Sequence, residues 1–175
     1  MDTAKLQRIS EKLDACQILL GHMVDSRSEW LKFGIYLSAF LSAYREIFWR
    51  LIRTAKGTPC ELQIEDSVEQ FYRDNPTVGF LKNARDIETH EFGIEYFRNF
   101  AFSMSYLPKS RFAPHPSDTT DIAYSRYPAV REFHEFLAFK GHPQEDMIEF
   151  CAAGLDQARE FVYQTLRAIS ETAAA

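Results

Sequence analysis

Glycine, proline and cysteine are scarce in this chain, and each shortage excludes a class of fold or site. Seven glycines and seven prolines among 175 residues are too few for the many tight turns of a β-sandwich or barrel. The three cysteines, Cys16, Cys60 and Cys151, are far apart and form no CxxC pair. This pattern argues against a disulfide framework and a zinc knuckle, and it is typical of a reducing compartment.

Long apolar runs and an excess of positive charge are also missing. No stretch approaches the roughly 18 consecutive apolar residues of a transmembrane helix, and the opening MDTAKLQRIS lacks the apolar core of a secretory signal. The 20 Lys and Arg stand against 25 Asp and Glu, for a net charge of −5. Nucleic-acid binding would therefore need a local basic patch. We expect a cytoplasmic protein without a membrane segment.

What is present suits one globular domain. The hydrophobic share is 46% and the charged share 26%, both ordinary for a soluble protein. The length is a little more than that of one typical domain, and the chain contains no internal repeat or low-complexity tract. We therefore predict a single domain over residues 1–175.

Apolar residues recur at intervals of three and four along most of the chain, and this spacing predicts helices. The predicted helices cover residues 6–23, 29–56, 65–73, 76–91 and 144–170. The second is apolar around so much of its circumference that we expect it at the centre of a bundle. Asn75 is a good N-cap for the fourth helix because Pro76 suits its first turn.

Residues 94–130 follow neither helical nor strand periodicity cleanly. The aromatic-rich stretch 94–107 is interpreted as extended, residues 108–121 hold three prolines and form a loop, and residues 121–128 are a candidate returning strand. The predicted fold class is therefore mainly α: a bundle of four to five helices with an irregular or β-hairpin insertion at about 94–130.

The usual metal and phosphate motifs are absent. No histidine has a glutamate three residues before it, as a di-iron bundle requires. His90-Glu91 lacks the second histidine of a zincin helix, since Ile94 stands in its place, and no glycine-rich phosphate loop occurs. We expect no metal and no cofactor. A metal hydrolase built on scattered histidines stays as the third alternative.

One short motif remains, an R-D-x-x-x-H pattern formed by Arg85, Asp86 and His90. It resembles the signature of the HEPN superfamily, in which an arginine followed by a polar residue precedes a histidine by four to six intervening positions. Residues 28–93 resemble one HEPN-like group, with Phe71-Tyr72 in place of Trp-Tyr. Residues 144–170 fit loosely, and residues 94–143 fall outside the resemblance.

The resemblance implies a helical bundle that forms a two-fold homodimer, with Arg85 and His90 from both chains lining one cleft. It also implies a metal-independent endoribonuclease, acting as a toxin or defence component. Toxins of this family often pair with a minimal nucleotidyltransferase partner. Many members carry Asn after the arginine, where this chain has Asp86.

The residue types agree with that chemistry. On a helix, Asp86 and His90 are i,i+4 neighbours, so the carboxylate can hold one imidazole nitrogen and favour the protonated ring. An arginine can neutralise a phosphate and a histidine can move a proton near neutral pH. Attack by the 2′-hydroxyl of RNA needs these two functions and no metal. We expect cleavage of single-stranded RNA by Arg85, Asp86 and His90.

Lys82 and Arg45 are the predicted substrate-binding residues, because both can widen a basic patch beside the motif. Arg50 and Arg53 belong to the same patch or form a charged rim around an apolar helix. The aromatic residues at 92–106 stack bases or pack in the core or a dimer interface.

Two alternatives stay open beside the metal hydrolase. In the first, Asp86–His90 and Arg85–Glu88 are solvated pairs on a helix surface, with no function beyond that. In the second, the protein is a non-catalytic helical dimer that binds a nucleotide, RNA or a protein partner.

Overall fold

The computed structural model describes residues 3–90, 96–108, 126–142 and 144–174, and side chains within 6–85, 136–142 and 144–170. These described residues form five helices, with two paired strands between the fourth and the fifth. The elements are α1 (Thr3–Asp25), α2 (Trp30–Ala55), α3 (Glu61–Asp74), α4 (Pro76–His90), β1 (Tyr96–Pro108), β2 (Arg126–Phe139) and α5 (Met147–Ala174). The predicted class, a mainly α bundle, is confirmed.

α2 is the central helix, as its apolar circumference predicts. It packs against α1, α3, α4 and α5, and Phe33, Phe40, Tyr44 and Phe48 on it are almost completely buried. α1 packs along it through the predicted stripe, which includes Ile9, Leu13, Cys16, Leu20 and Met23. Among the described helices, none is both long and apolar enough to cross a membrane.

The boundary between α2 and α3 differs from the prediction. α3 begins at Glu61, four residues before the predicted start at 65. The reason is local: the Glu61 carboxylate accepts a hydrogen bond of 2.7 Å from the backbone N–H of Gly57. Gly57 has a φ of 77°, in the left-handed region that favours glycine, and so allows the sharp turn after α2.

Asn75 joins α3 to α4 in a way that the sequence did not indicate. Its side-chain amide donates a hydrogen bond of 2.9 Å to the carbonyl of Phe71 in α3. The predicted N-cap therefore serves the preceding helix, while its own carbonyl accepts the first hydrogen bond of α4, from Gly79 N–H at 2.9 Å.

The insertion is a long antiparallel hairpin. β1 pairs with β2 from Tyr96↔Phe139 to Pro108↔Arg126, with a register shift between Ser103 and Met104. β2 continues to Phe139, nine residues beyond the predicted end of the insertion at 130. Its last residues are held by the helices, because Leu137, Ala138 and Phe139 are buried. The predicted loop between the strands lies for the most part outside the described residues.

Two aromatic clusters bind the elements together. The first joins Phe48 of α2 to Phe71 and Tyr72 of α3 and Phe161 of α5, at ring separations of 5.0–6.4 Å. The second joins Phe80 of α4 to Phe139 and Phe150, at 5.0 and 5.4 Å. α4, which carries the R-D-x-x-x-H motif, thus lies between the hairpin base and the bundle core.

Candidate functional site

α4 is fixed in the bundle by its buried face. Val78, Leu81 and Ala84 are at most 1% exposed. A Cβ atom on Gly154 of α5 would lie 2.4 Å from Leu81 Cδ1, so the two helices approach as closely as glycine permits. A Cβ on Gly79 would lie 2.7 Å from the backbone oxygen of Tyr72. A helix held this closely provides a rigid base for the side chains it presents.

Arg85, Asp86 and His90 all belong to α4, within its last six residues. Arg85 is partly buried and directly follows the buried Ala84, and it interacts with other groups of the protein. The side chains of Asp86 and His90 lie outside the described residues, so the predicted pairing between them stays a prediction. On a regular helix Arg85 and His90 differ in direction by about 140°.

Lys82 lies one turn before Asp86, as predicted, and its ammonium has a specific neighbour. Its Nζ atom lies 4.9 Å from the centroid of the Tyr72 ring, a cation–π contact that restrains the side chain along the α3–α4 junction. Tyr72 of α3 therefore positions a lysine on the helix that carries the motif.

The predicted arginines of α2 do not form one group. Arg45 is exposed and follows Tyr44, whose hydroxyl donates a buried hydrogen bond of 3.0 Å to the carbonyl of Gly154. Arg50 and Arg53 instead line an open cleft with Arg8 of α1. The described residues that line this cleft include none from α4, so Arg50 and Arg53 are not grouped there with Lys82 or Arg85.

An ion-pair network holds Arg50 on the α1 side of α2. Glu46 accepts a hydrogen bond of 2.9 Å from Arg50 Nη2 and pairs with Lys12 of α1. Lys12 first, and Arg50 after it, hold the pKa of the Glu46 carboxyl below its ordinary value, although partial burial opposes them. Sequence reasoning missed Arg8 and Lys12; their spacing of four residues on one helix was the available signal.

The histidines whose side chains are described, His22 and His142, are engaged in packing. His22 stacks on Tyr36 at 5.0 Å, and His142 lies 4.6 Å from the Phe80 ring with its Nδ1 3.0 Å from a Glu145 oxygen. Among the described side chains, no three His, Cys, Asp or Glu are grouped to hold a metal ion. The expected absence of a metal stays a prediction.

Comparisons of the chain with protein-family models, with curated proteins and with solved structures found no match.

Proposed function

We propose that the protein is a metal-independent endoribonuclease of HEPN type, acting on single-stranded RNA in the cytoplasm as a toxin or defence component. Arg85 would neutralise the scissile phosphate, His90 would transfer protons, and Asp86 would orient the imidazole. The observation that carries the proposal is the location of all three on α4, near the end of a helix anchored through Val78, Leu81 and Ala84. A rigid helix can hold a phosphate-binding and a proton-transferring group at a fixed separation.

The helical angle between Arg85 and His90 supports a site made from two copies of the chain. Because the two positions differ by about 140° on one helix, one phosphate contacts both side chains more readily when two copies of α4 face each other. A two-fold axis through such a pair creates one cleft with two arginines and two histidines. A homodimer is therefore part of the proposal.

RNA would reach this site along α4. Lys82, held over Tyr72, is the proposed second phosphate contact one turn before the motif, and Arg45, an exposed cation of α2, is the proposed third. By resemblance alone, a minimal nucleotidyltransferase is the proposed protein partner. The non-catalytic binding dimer is the alternative if the chemistry fails.

The test is cleavage of single-stranded RNA in excess EDTA. We expect 2′,3′-cyclic phosphate ends, and we expect DNA to survive because it lacks the attacking 2′-hydroxyl. His90→Ala and Arg85→Ala should each abolish cleavage. Matched controls are His22→Ala and Arg73→Ala, which remove the same residue types from α1 and α3 and should leave cleavage unchanged.

Asp86→Asn tests the orientation of the His90 imidazole separately from the negative charge of residue 86. Asparagine keeps a hydrogen-bonding side chain and removes a negative charge beside the phosphate, so cleavage should be kept or raised, with a rate maximum near neutral pH. Cleavage that survives His90→Ala, or that requires a divalent metal, would show that the chemistry belongs to other residues. If no RNA is cut, the non-catalytic alternative is the better account.

A further inference from the structure

An open cleft of about 530 Å³ lies between the beginning of α1 and the carboxyl-terminal part of α2. Its lining residues are Arg8, Trp49, Arg50, Arg53, Thr54 and Lys56. Four of these six described lining residues carry a positive charge and none of the six is a carboxylate, although Glu46 is bonded to Arg50 and the chain as a whole has a net charge of −5. A local concentration of cations on an acidic protein attracts anions to that place in particular.

Arg50 supplies a second, independent sign of a ligand. One of its terminal nitrogens is bonded to Glu46, but its Nε atom is buried and has no hydrogen-bond partner among the described residues. A buried N–H without an acceptor is rare in folded proteins and calls for a physical explanation. Because the Nε atom is out of contact with solvent, an anion in the cleft would supply that acceptor only after the Arg50 side chain, itself 25% exposed, turns toward it.

Trp49 adds a planar apolar surface to the same cleft. The residue is 51% exposed, which is unusual for so large an apolar side chain. The guanidinium carbon of Arg53 lies 4.4 Å from the centroid of its ring. Indole rings and guanidinium planes are the surfaces on which unpaired nucleobases stack.

We propose that this cleft binds a nucleotide, with its phosphates on Arg8, Arg50 and Lys56 and its base stacked against Trp49 and Arg53. The volume lies within the range of about 300–1,000 Å³ that is usual for small-ligand sites. The same chemistry is offered by a free nucleoside triphosphate and by one unit of a single-stranded RNA. The proposal stands without the ribonuclease assignment, since none of the described lining residues belongs to α4.

The proposal is tested by calorimetric titration of the full chain with ATP, in EDTA. The double variant Arg8→Gln, Lys56→Gln and the single variant Trp49→Leu should each weaken ATP binding by about tenfold or more. The matched controls Lys32→Gln and Trp30→Leu change exposed residues at the other end of α2 and should not alter the affinity. Equal affinity in all these variants would overturn the proposal.

Two further probes define the ligand. Binding of inorganic tripolyphosphate should be weaker than that of ATP and should not change in Trp49→Leu. Tripolyphosphate that binds as tightly as ATP would overturn the assignment of a base-stacking surface.

A short 2′-O-methylated RNA, which cannot be cut by 2′-hydroxyl attack, shows whether the natural ligand is RNA or a free nucleotide. If this strand binds more tightly than ATP, and the cleft variants weaken its binding, the cleft is a site for RNA. If ATP binds more tightly than the strand, the cleft is a site for a free nucleotide. No binding of any probe at millimolar concentration would overturn the proposal.

Discussion

Individual side chains show how burial determines which thiols of this bundle can react. Burial raises the pKa of the Cys16 thiol to about 12, against smaller opposing effects of Lys12 and Arg159. Burial likewise raises the pKa of the Cys151 thiol well above its ordinary value. Cys60, at the start of α3, is only partly buried. Because the thiolate is the reactive form, these environments predict different reactivities.

A thiol-specific disulfide reagent at about pH 8 should therefore label one cysteine of the native protein quickly. The fast thiol should be Cys60, and Cys60→Ser should remove it. Cys16 and Cys151 should react only when the protein is unfolded in guanidinium chloride. Fast labelling of two or three thiols in the native state would contradict the buried positions of Cys16 and Cys151.

The lowered pKa of Glu46 predicts that the folded protein becomes less stable in acid. Its pKa is lower in the folded protein than the ordinary value of 4.5, because it pairs with Lys12 and Arg50. The carboxylate thus stabilises the fold above about pH 4.5, and this stabilisation is lost as the pH falls through the lowered pKa. Both pairs are partly solvated, so together they contribute at most about 1 kcal/mol.

Glu46→Gln should accordingly lower the Tm at pH 7 by about 2–4 °C. The difference from the wild type should shrink as the pH falls through the lowered pKa of Glu46, because the protonated carboxyl is neutral like the side chain of Gln. Glu69→Gln, on the exposed side of α3, is the control and should show no such convergence. A Glu46→Gln deficit that does not shrink with falling pH would exclude the ion pairs as its cause.

At the scale of elements, apolar spacing was sufficient to predict the helices but not all of their ends. The stripe from Ile9 to Met23 identifies α1 because one face of it alone is buried. The start of α3 depends on a hydrogen bond from Gly57 N–H to the Glu61 side chain, and the Asn75 side chain bonds to α3 although its carbonyl accepts the first hydrogen bond of α4. Both side-chain bonds join residues four positions apart, and the spacing of apolar residues does not show which backbone group a polar side chain will bond. The end of β2 depends instead on tertiary packing, since burial against the helices extends it.

The position of the motif depends on the contact between α4 and α5, and Gly154→Ala tests this contact. The new Cβ would lie 2.4 Å from Leu81 Cδ1 and 3.5 Å from the Tyr44 hydroxyl. Overpacking of this kind costs about 1–3 kcal/mol, partly offset by the better helix propensity of alanine. The Tm should fall by several degrees.

Gly21→Ala is the matched control for this contact. Gly21 also lies inside a helix, but a Cβ there would meet nothing within 4 Å. This variant should be more stable than the wild type, by up to about 1 kcal/mol, because alanine favours the helix. Equal Tm values for the two glycine variants would show that α4 and α5 do not pack as closely as described.

At the scale of the whole molecule, the two candidate sites differ in how far the sequence could reveal them. Arg85, Asp86 and His90 are close in sequence and share one helix, so a motif search finds them. Arg8 is separated from Arg50 and Arg53 by about forty residues, and only the packing of α1 on α2 brings them into one cleft. A linear pattern cannot show such a cleft. The sequence could show the excess of cations along α2, but not toward which neighbouring helix their side chains point.

The homodimer in the proposed function is also a property of the whole molecule. Large apolar side chains remain exposed on α1 and α2, among them Leu31 at 78% and Ile35 at 58%. Two exposed apolar residues one turn apart on a central helix favour association, since burial of such surface contributes about 25 cal/mol per Å². We expect a symmetric dimer that buries more than about 1,000 Å², with this end of α2 in its interface.

Sedimentation velocity at micromolar concentration should show a species of twice the 20.3 kDa chain mass. The double variant Leu31→Glu, Ile35→Glu should sediment as a monomer, because charged side chains are costly to bury in an interface. Leu62→Glu is the matched control: Leu62 is 75% exposed on α3, and its change should leave the dimer intact. A wild-type protein that sediments only as a monomer would remove the dimer, and with it a ribonuclease cleft composed of Arg85 and His90 from two chains. A dimer that resists Leu31→Glu, Ile35→Glu would retain the composite cleft and move its interface to another face of the bundle.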